Sequence, residues 1–359
     1  CPFNCEFCDI IELYGREPRT KAPRQIIREL EALYRLGYRG HIDLVDDNLI
    51  GHRRKAKEML REVLQWSERH GFPFYFSTEA SLNLADDDEL LDLMTSLDFR
   101  YVFVGIESPE NEILKTTQKR ANVDRDVLRD LGKIHRHGIV VNGGFIVGFD
   151  EETEKSAPMI VKLIKAGKIG MAMVGLLYAL PNTQLTRRLQ REGRMPDDVD
   201  SQRKLAVSDV DQATSGLNFV TIRPRTDVLN DFVSVINQVY SAREYFDRCL
   251  ALSRVLRISP KFKPSFRKML TYAGAFLGTV VKLGMRSSTA WFYWRNLATI
   301  LATRPSSVET LVNLMAMYIH FAKQTAFLTR VIGRRVEIEK RAGIAHSVST
   351  PALGPSTPG

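Results

Sequence analysis

Cys1, Cys5 and Cys8, in the run CPFNCEFC, stand three residues and then two residues apart, and the only other cysteine of the 359 residues is Cys249. A loop with that spacing turns three thiolates toward one point. Three is an odd number for disulfides and one short of a closed tetrahedral zinc site. It suits a cubane iron-sulfur cluster in which one iron, lacking a protein ligand, is open to a small molecule. A structural zinc would need a fourth ligand, and the nearest histidine, His41, lies far along the chain on a predicted strand. A disulfide scaffold belongs to short, cysteine-dense secreted chains, whereas this chain is long, cysteine-poor and shows no signal peptide, which points to a reducing cytoplasm.

Two periodicities alternate behind this loop, over residues 23–193, as expected of repeated βα units. Amphipathic helices are predicted from Pro23 to Gly37 (Ile26, Ile27, Leu30 and Leu33 on one face), from about 56 to 71, and over about 87–97, 124–137, 152–167 and 183–192. Between them, HIDLV (41–45), FYFST (74–78), YVFVGI (101–106), VVNGGFIVG (140–148) and MVGLLYAL (173–180) read as five buried parallel strands. Each ends in polar residues, at the strand end where parallel α/β barrels place their active sites. These are Asp46, Asp47 and Asn48; Glu79; Glu107 and Ser108; Asp150 and Glu151; and Pro181 with Asn182. Glu79 and Glu107 read equally as ligand contacts or as helix caps. Two glycines in GFIVGFDE (144–151) would weaken a strand, so a close approach of ligand or backbone is expected there.

Taken together, CPFNCEFC with the aromatic Phe7 before the last cysteine, and Gly144, Ile146, Gly148 and Glu151 in a GxIxGxxE pattern, resemble the radical S-adenosylmethionine (SAM) superfamily. The longer run CPFNCEFCDI to ELYGREPRTK resembles the subgroup in which a cobalamin-binding domain precedes the radical SAM core and a helical domain of unknown function follows it. The resemblance implies a partial (β/α)6 TIM-like barrel followed by a mainly α-helical C-terminal domain. Five predicted strands against six imply that the first strand and everything upstream of Cys1 belong to a longer protein, leaving an unpaired edge beside the cysteine loop. It further implies Cys1, Cys5 and Cys8 as ligands of a 4Fe-4S cluster, and SAM contacts from Phe7, Asp46, Asp47, Glu79, Glu107, Gly144, Ile146, Gly148, Glu151 and Leu180. Asp46 and Asp47 stand where other members carry a Gly-Gly-Glu segment, a departure that leaves open which one meets the SAM amino group.

The implied activity is reductive cleavage of SAM to a 5'-deoxyadenosyl radical, used for cobalamin-dependent C-methylation of a hydrophobic, lipid-like substrate. A cyclisation or rearrangement without methyl transfer is the alternative, and a noncatalytic iron-sulfur protein the other. An electron donor such as a flavodoxin or ferredoxin is implied, with cobalamin bound by the intact protein and not by this segment alone. No hydrolase triad motif and no phosphate-cradling GxxxxGK[ST] loop is present.

The organisation expected is a radical SAM core over 1–195, a connection over 196–225 in which 216–225 returns to the core, a helical domain over 226–342, and an uncharged Pro/Gly/Ser/Thr-rich tail over 343–359 that should be disordered. Net charge is +9, yet residues 223–346 hold 20 Lys/Arg against 7 Asp/Glu, so the basic character belongs to the C-terminal third. Within it, Met269–Val281 carries no charge and is too short to span a bilayer, and Trp291–Trp294 stand beside Arg295. These helices read first as a helical core with a snorkelling cationic rim. The other reading is peripheral contact with an anionic inner-membrane surface. No nucleic-acid module accompanies the charge. His135 and His137, before Gly138, read as structural, and His52 and His70 as solvated.

Overall fold

In the computed structural model, which describes residues 1–196 and 216–341, the period-2 segments form one sheet of five parallel strands in the order β1-β2-β3-β4-β5. They are β1 Gly40–Leu44, β2 Phe74–Glu79, β3 Phe99–Glu107, β4 Val140–Val147 and β5 Met171–Leu176. Parallel neighbours need crossovers, and helices supply them: α1 Ile10–Tyr14 and α2 Pro23–Arg35 precede β1. Then come α3 Arg53–Arg69, α4 Asp88–Ser96, α5 Asn111–Thr116, α6 Val127–Arg136, α7 Ser156–Ala166 and α8 Gln184–Arg191. The sheet curls into a half-barrel, the partial TIM-like barrel expected. β1 pairs only with β2, so its other edge is unpaired among the described residues. A cavity of about 440 Å³ lies along that edge, between Ile26 of α2 and Met59 of α3.

Three of the barrel helices start where a side-chain acceptor satisfies a free backbone donor. Asp87 accepts from Leu90 N (3.1 Å) to begin α4, Asp126 from Arg129 N (3.0 Å) to begin α6, and Thr183 Oγ1 from Thr186 N (3.2 Å) to begin α8. On the outer face of the sheet Phe74 stacks on Trp66 of α3 and Phe76 on Phe99. Trp66 also stacks with His70 at 4.3 Å, so His70 is a packed ring and not the solvated one expected. His135 is buried and its Nε2 accepts from Val141 N, the structural role read from the sequence.

Beyond the barrel the described chain is helical: α9 Arg225–Val239, α10 Ala242–Val255, α11 Phe266–Thr279, α12 Ala290–Thr303 and α13 Val308–Arg341, with a π-helical turn at Val280–Gly284. Leu229, Phe232 and Ile236 of α9 belong to the same apolar core as Val147, Ile164 and Val174. Tyr240 Oη donates to Ala172 O of β5 (2.6 Å), and Arg248 Nε to Ile169 O (2.6 Å). The buried pair Arg225–Glu339 (3.0 Å) ties the start of α9 to the end of α13. The segment 216–224 does return to the core: Leu217 N donates to Leu177 O, and Asn218 exchanges two hydrogen bonds with Ala179. Residues 197–215 of the polar connection and the tail from 342 lie outside the described residues.

The core reading holds for α12, which buries Tyr293, Asn296, Leu297 and Ile300. It fails for α11, whose only buried residue is Thr279.

Candidate functional site

The eight-residue cysteine loop is fastened to three separate parts of the barrel top. Cys8 N donates to Cys5 O (3.2 Å), closing a tight turn that buries Cys5 and leaves Cys1 and Cys8 half-buried. Glu6 N donates to Thr117 O after β3, and Leu185 N at the start of α8 donates to Glu6 O. Three side-chain amides close a ring: Asn4 donates to Gln118, Gln118 to Gln184 and Gln184 to Asn4, at 2.7 to 3.0 Å. Arg188 of α8 bridges Glu6 (2.6 Å) and Asp150 after β4 (2.8 Å), and Arg194 takes the other oxygen of Asp150 (2.6 Å). Phe7 lies against Phe149, with ring centroids 5.9 Å apart.

No disulfide joins any of the four cysteines among the described residues. Burial pushes the Cys5 thiol up to about 11 and also raises Cys8, with Lys119 opposing it at both. The Lys119 ammonium is therefore a fixed positive charge beside thiols that must ionise to bind metal. Burial works to lower its pKa, yet Glu107 and Cys5 outweigh that and hold it above the ordinary value. Lys119 Nζ lies 2.7 Å from Glu107 Oε1, and Gly105 is where the pair finds room, since a Cβ there would stand 2.3 Å from that oxygen. Among the described residues no three His, Cys, Asp or Glu side chains are already gathered as a metal set. The donor set nevertheless fits a cluster: three thiols on one turn, none in a disulfide, with a cation set against them and Asn48 Nδ2 3.9 Å from Cys1 Sγ.

The strand-end carboxylates gather as the topology requires. Asp46 Oδ1 accepts from Asn48 N (2.8 Å), which turns the chain after β1. Glu79 of β2 is raised by burial and then by Asp47, Asp43 and Asp46, so these four share one region. Neither Glu79 nor Glu107 caps a helix; Glu107 instead sits at φ +66 at the end of β3, held by Lys119.

The two glycines of GFIVGFDE, Gly144 in β4 and Gly148 just after it, differ in their reasons. A Cβ at Gly144 would meet Phe103 Cζ at 2.8 Å on the inner face, and one at Gly148, with φ +115, would meet Leu217 Cδ2 at 2.7 Å. The carboxylate that returns to Gly148 N is Glu152 (2.9 Å), one residue past Glu151. Glu152 is buried with its other oxygen unpartnered, and burial pushes it up to about 8; Glu151 is half-buried and also raised by burial. Ile146 packs partly against the core, and Leu180, half-buried, offers its carbonyl to Thr183 Oγ1 (2.8 Å).

Strand alternation leaves a second polar group on the inner face, unnoticed in the sequence. His41 pairs across β1 and β2 with Tyr75, and Asp43 with Ser77. Ser77 Oγ donates to Asp43 Oδ1 and lies 2.7 Å from His41 Nε2, while His41 stacks on Tyr75 at 5.3 Å. The single Ser77 proton goes to Asp43, so Nε2 of His41 carries the hydrogen and Nδ1 is left as an acceptor. Burial, opposed by Asp43, holds the imidazole below its ordinary pKa. Polar residues on alternate positions of strands otherwise read as buried, H-x-D and Y-x-S-x-E, were the available signal. Lys119 lies in a loop and carried none.

A half-barrel whose cysteine loop, glycine strand and strand-end carboxylates meet at one rim is the layout of a radical SAM domain. Residues 1–164 match the model of the radical SAM superfamily. Residues 183–332 match a domain of unknown function, DUF4070. An uncharacterized methyltransferase of Synechocystis is 38% identical over 94% of this chain and 61% of its own length. The hopanoid C-2 methylase of Rhodopseudomonas palustris is 42% identical over 55% of this chain and 38% of its own. The chain thus spans less than two thirds of either relative. Among solved structures, the cobalamin-dependent S-adenosylmethionine radical enzyme OxsB, with aqua-cobalamin bound, is similar over 96% of this chain and 55% of its own at 14% identity and a TM-score of 0.48.

Proposed function

We propose that this chain is the SAM-cleaving part of a radical SAM methyltransferase acting on an apolar, lipid-like substrate. The observation that carries the reading is the fastening of Cys1, Cys5 and Cys8 to the C-terminal rim of the half-barrel through Glu6, Arg188 and the Asn4–Gln118–Gln184 ring. A cluster held by these thiolates would supply the electron that breaks a carbon-sulfur bond of SAM, giving a 5'-deoxyadenosyl radical able to take hydrogen from an unactivated carbon. Lys119 lowers the cost of ionising the thiols. Asp46, Asp47 and Glu79 offer carboxylates to an ammonium group, the charge that relieves their mutual repulsion. Gly144 makes room for the Phe103 ring on the inner face, Ile146 supplies an apolar wall for the adenine, and Gly148 with Glu151 and Leu180 edges the same rim. Phe7 on Phe149 helps close the site against water.

Methylation is favoured over rearrangement because the two relatives described above carry methyl-transfer names. An apolar substrate is supported by the hopanoid relative and by Tyr101, Phe103, Met171 and Met173 lining the inner face. Cobalamin, held by a part of the protein outside these residues, is the methyl donor we propose, with a flavodoxin or ferredoxin as electron source. Four cysteines, none joined in a disulfide among the described residues, suit a cytoplasmic setting.

The test is anaerobic reconstitution with iron and sulfide followed by SAM and reductant. About four irons per chain and formation of 5'-deoxyadenosine are expected, with both abolished by Cys5→Ala and retained by Cys249→Ala. A Cys5→Ala chain that keeps its iron sinks the assignment.

A further inference from the structure

Helix α11 is apolar almost all round and nearly uncovered. Phe266, Leu270, Leu277, Val281 and Met285, together with Trp291 at the start of α12, are all more than half exposed. A soluble face of this kind marks an interaction site.

Charge says what it meets. Between Asp247 and Glu309 the chain carries eleven Lys/Arg and not one Asp or Glu. Lys263 and Arg267 stand at one end of α11, Lys282 and Arg286 just beyond the other, all exposed and none in an ion pair among the described residues. Apolar middle, cationic ends and flanking aromatics are the composition of a helix lying in the plane of an anionic lipid surface. The uncharged stretch Met269–Val281 is about 20 Å long as a helix, too short to cross a bilayer of roughly 30 Å, and no described helix is long and apolar enough to cross one. A second copy would bring the same excess of positive charge to the contact, and nucleic acid would leave the apolar middle unsatisfied.

We infer that α11 and the first turn of α12 form a docking face for an anionic phospholipid bilayer, with α11 parallel to the surface. The face lies across a cavity of about 400 Å³ from the barrel: Tyr272, Phe276 and Thr279 line one side and Tyr75 of the inner face another. An apolar molecule leaving the bilayer at α11 therefore meets the floor of the half-barrel.

Tryptophan reports the contact directly, because Trp66 is buried in the core while Trp291 and Trp294 are exposed on this face. With phosphatidylcholine vesicles containing phosphatidylglycerol, the chain should float with the lipid, and brominated acyl chains should quench its fluorescence; with phosphatidylcholine alone, and at high salt, both effects should fall away. The double variant Lys282→Glu/Arg286→Glu should weaken partition roughly tenfold or more, and Leu277→Ser/Trp291→Ser should abolish it with the unfolding midpoint unchanged. Absence of partition, partition without quenching, or variants that bind as well as the parent chain would overturn the inference. Loss of the exposed face to self-association, or tight duplex DNA binding without lipid binding, would overturn it as well.

Discussion

Glu107 turns back on Lys119 at a backbone angle that favours glycine. Its φ is +66, and its carboxylate meets the Lys119 ammonium at 2.7 Å behind the cysteine loop. A strained non-glycine residue persists only where its surroundings determine it, and here the surroundings are an almost enclosed ion pair.

Lys119→Met should therefore act twice. Leaving Glu107 buried without its cation should destabilise the fold by about 3 kcal/mol, read from urea unfolding. Removing the positive charge beside Cys5 and Cys8 should also lower iron retained after reconstitution. The double variant Lys119→Met/Glu107→Met should regain most of the stability and none of the iron. Recovery of both would mean that Lys119 serves the fold alone.

Gly148 offers a separate test of the β4 motif. With φ +115 and Leu217 Cδ2 2.7 Å from where its Cβ would stand, Gly148→Ala should cost about 1–3 kcal/mol. Adding Leu217→Ala should not rescue it, because Leu217 is itself buried core and the backbone strain remains. Rescue would show that crowding, not φ, is what the glycine answers.

Much of this layout was legible in the sequence because it rests on period and punctuation. β1 through β5 alternate with helices at the predicted places, and each boundary error is of a few residues, as at β3, which begins at Phe99 and not Tyr101. The fastening of the cysteine loop was not legible, since Asn4, Gln118 and Gln184 come from three parts of the chain and amide side chains carry no pattern. Glu152 was hidden by its neighbour: two adjacent glutamates fit one motif, and only the turn decides which returns to Gly148. Helix α11 misled for a different reason. Apolarity predicts burial only where something covers the surface, and nothing in a sequence records the cover.

Two buried groups give stability a pH dependence of opposite sign. Burial, aided by Lys168, holds the His135 imidazole down to about 3, so from pH 6.5 downward the unfolded chain takes up a proton that the folded chain refuses. Stability should fall with acidification at about 1.4 kcal/mol per pH unit between those values. Glu152, raised to about 8, keeps its proton when folded and loses it above 4.5 when unfolded, so it lowers stability as pH rises from 4.5 to 8. The two slopes cancel between 4.5 and 6.5 and leave a fall on either side. Urea midpoints across pH should show that plateau; His135→Gln should flatten the acid limb and Glu152→Gln the alkaline one. A Glu152→Gln chain that still weakens from pH 6.5 to 8 would place the alkaline loss elsewhere.

On the function proposed above, the inner-face group His41, Ser77 and Asp43 offers a test that separates radical formation from substrate handling. These residues lie on β1 and β2 away from the cysteine loop, with Nδ1 of His41 free to accept and Tyr75, stacked on His41, lining the 400 Å³ cavity under α11. A hydroxyl on an otherwise apolar substrate would find an acceptor here and nowhere among Tyr101, Phe103, Met171 and Met173 except the tyrosine. In the full-length protein, His41→Phe should keep iron content and substrate-free formation of 5'-deoxyadenosine, while the methylated product that the proposed function requires falls roughly tenfold, the loss of one buried hydrogen bond to substrate. Ser77→Ala, which removes the bridge that fixes the imidazole, should fall less, because His41 keeps its stack on Tyr75. Equal loss of 5'-deoxyadenosine and product in both variants would instead make this group part of the SAM-cleaving rim.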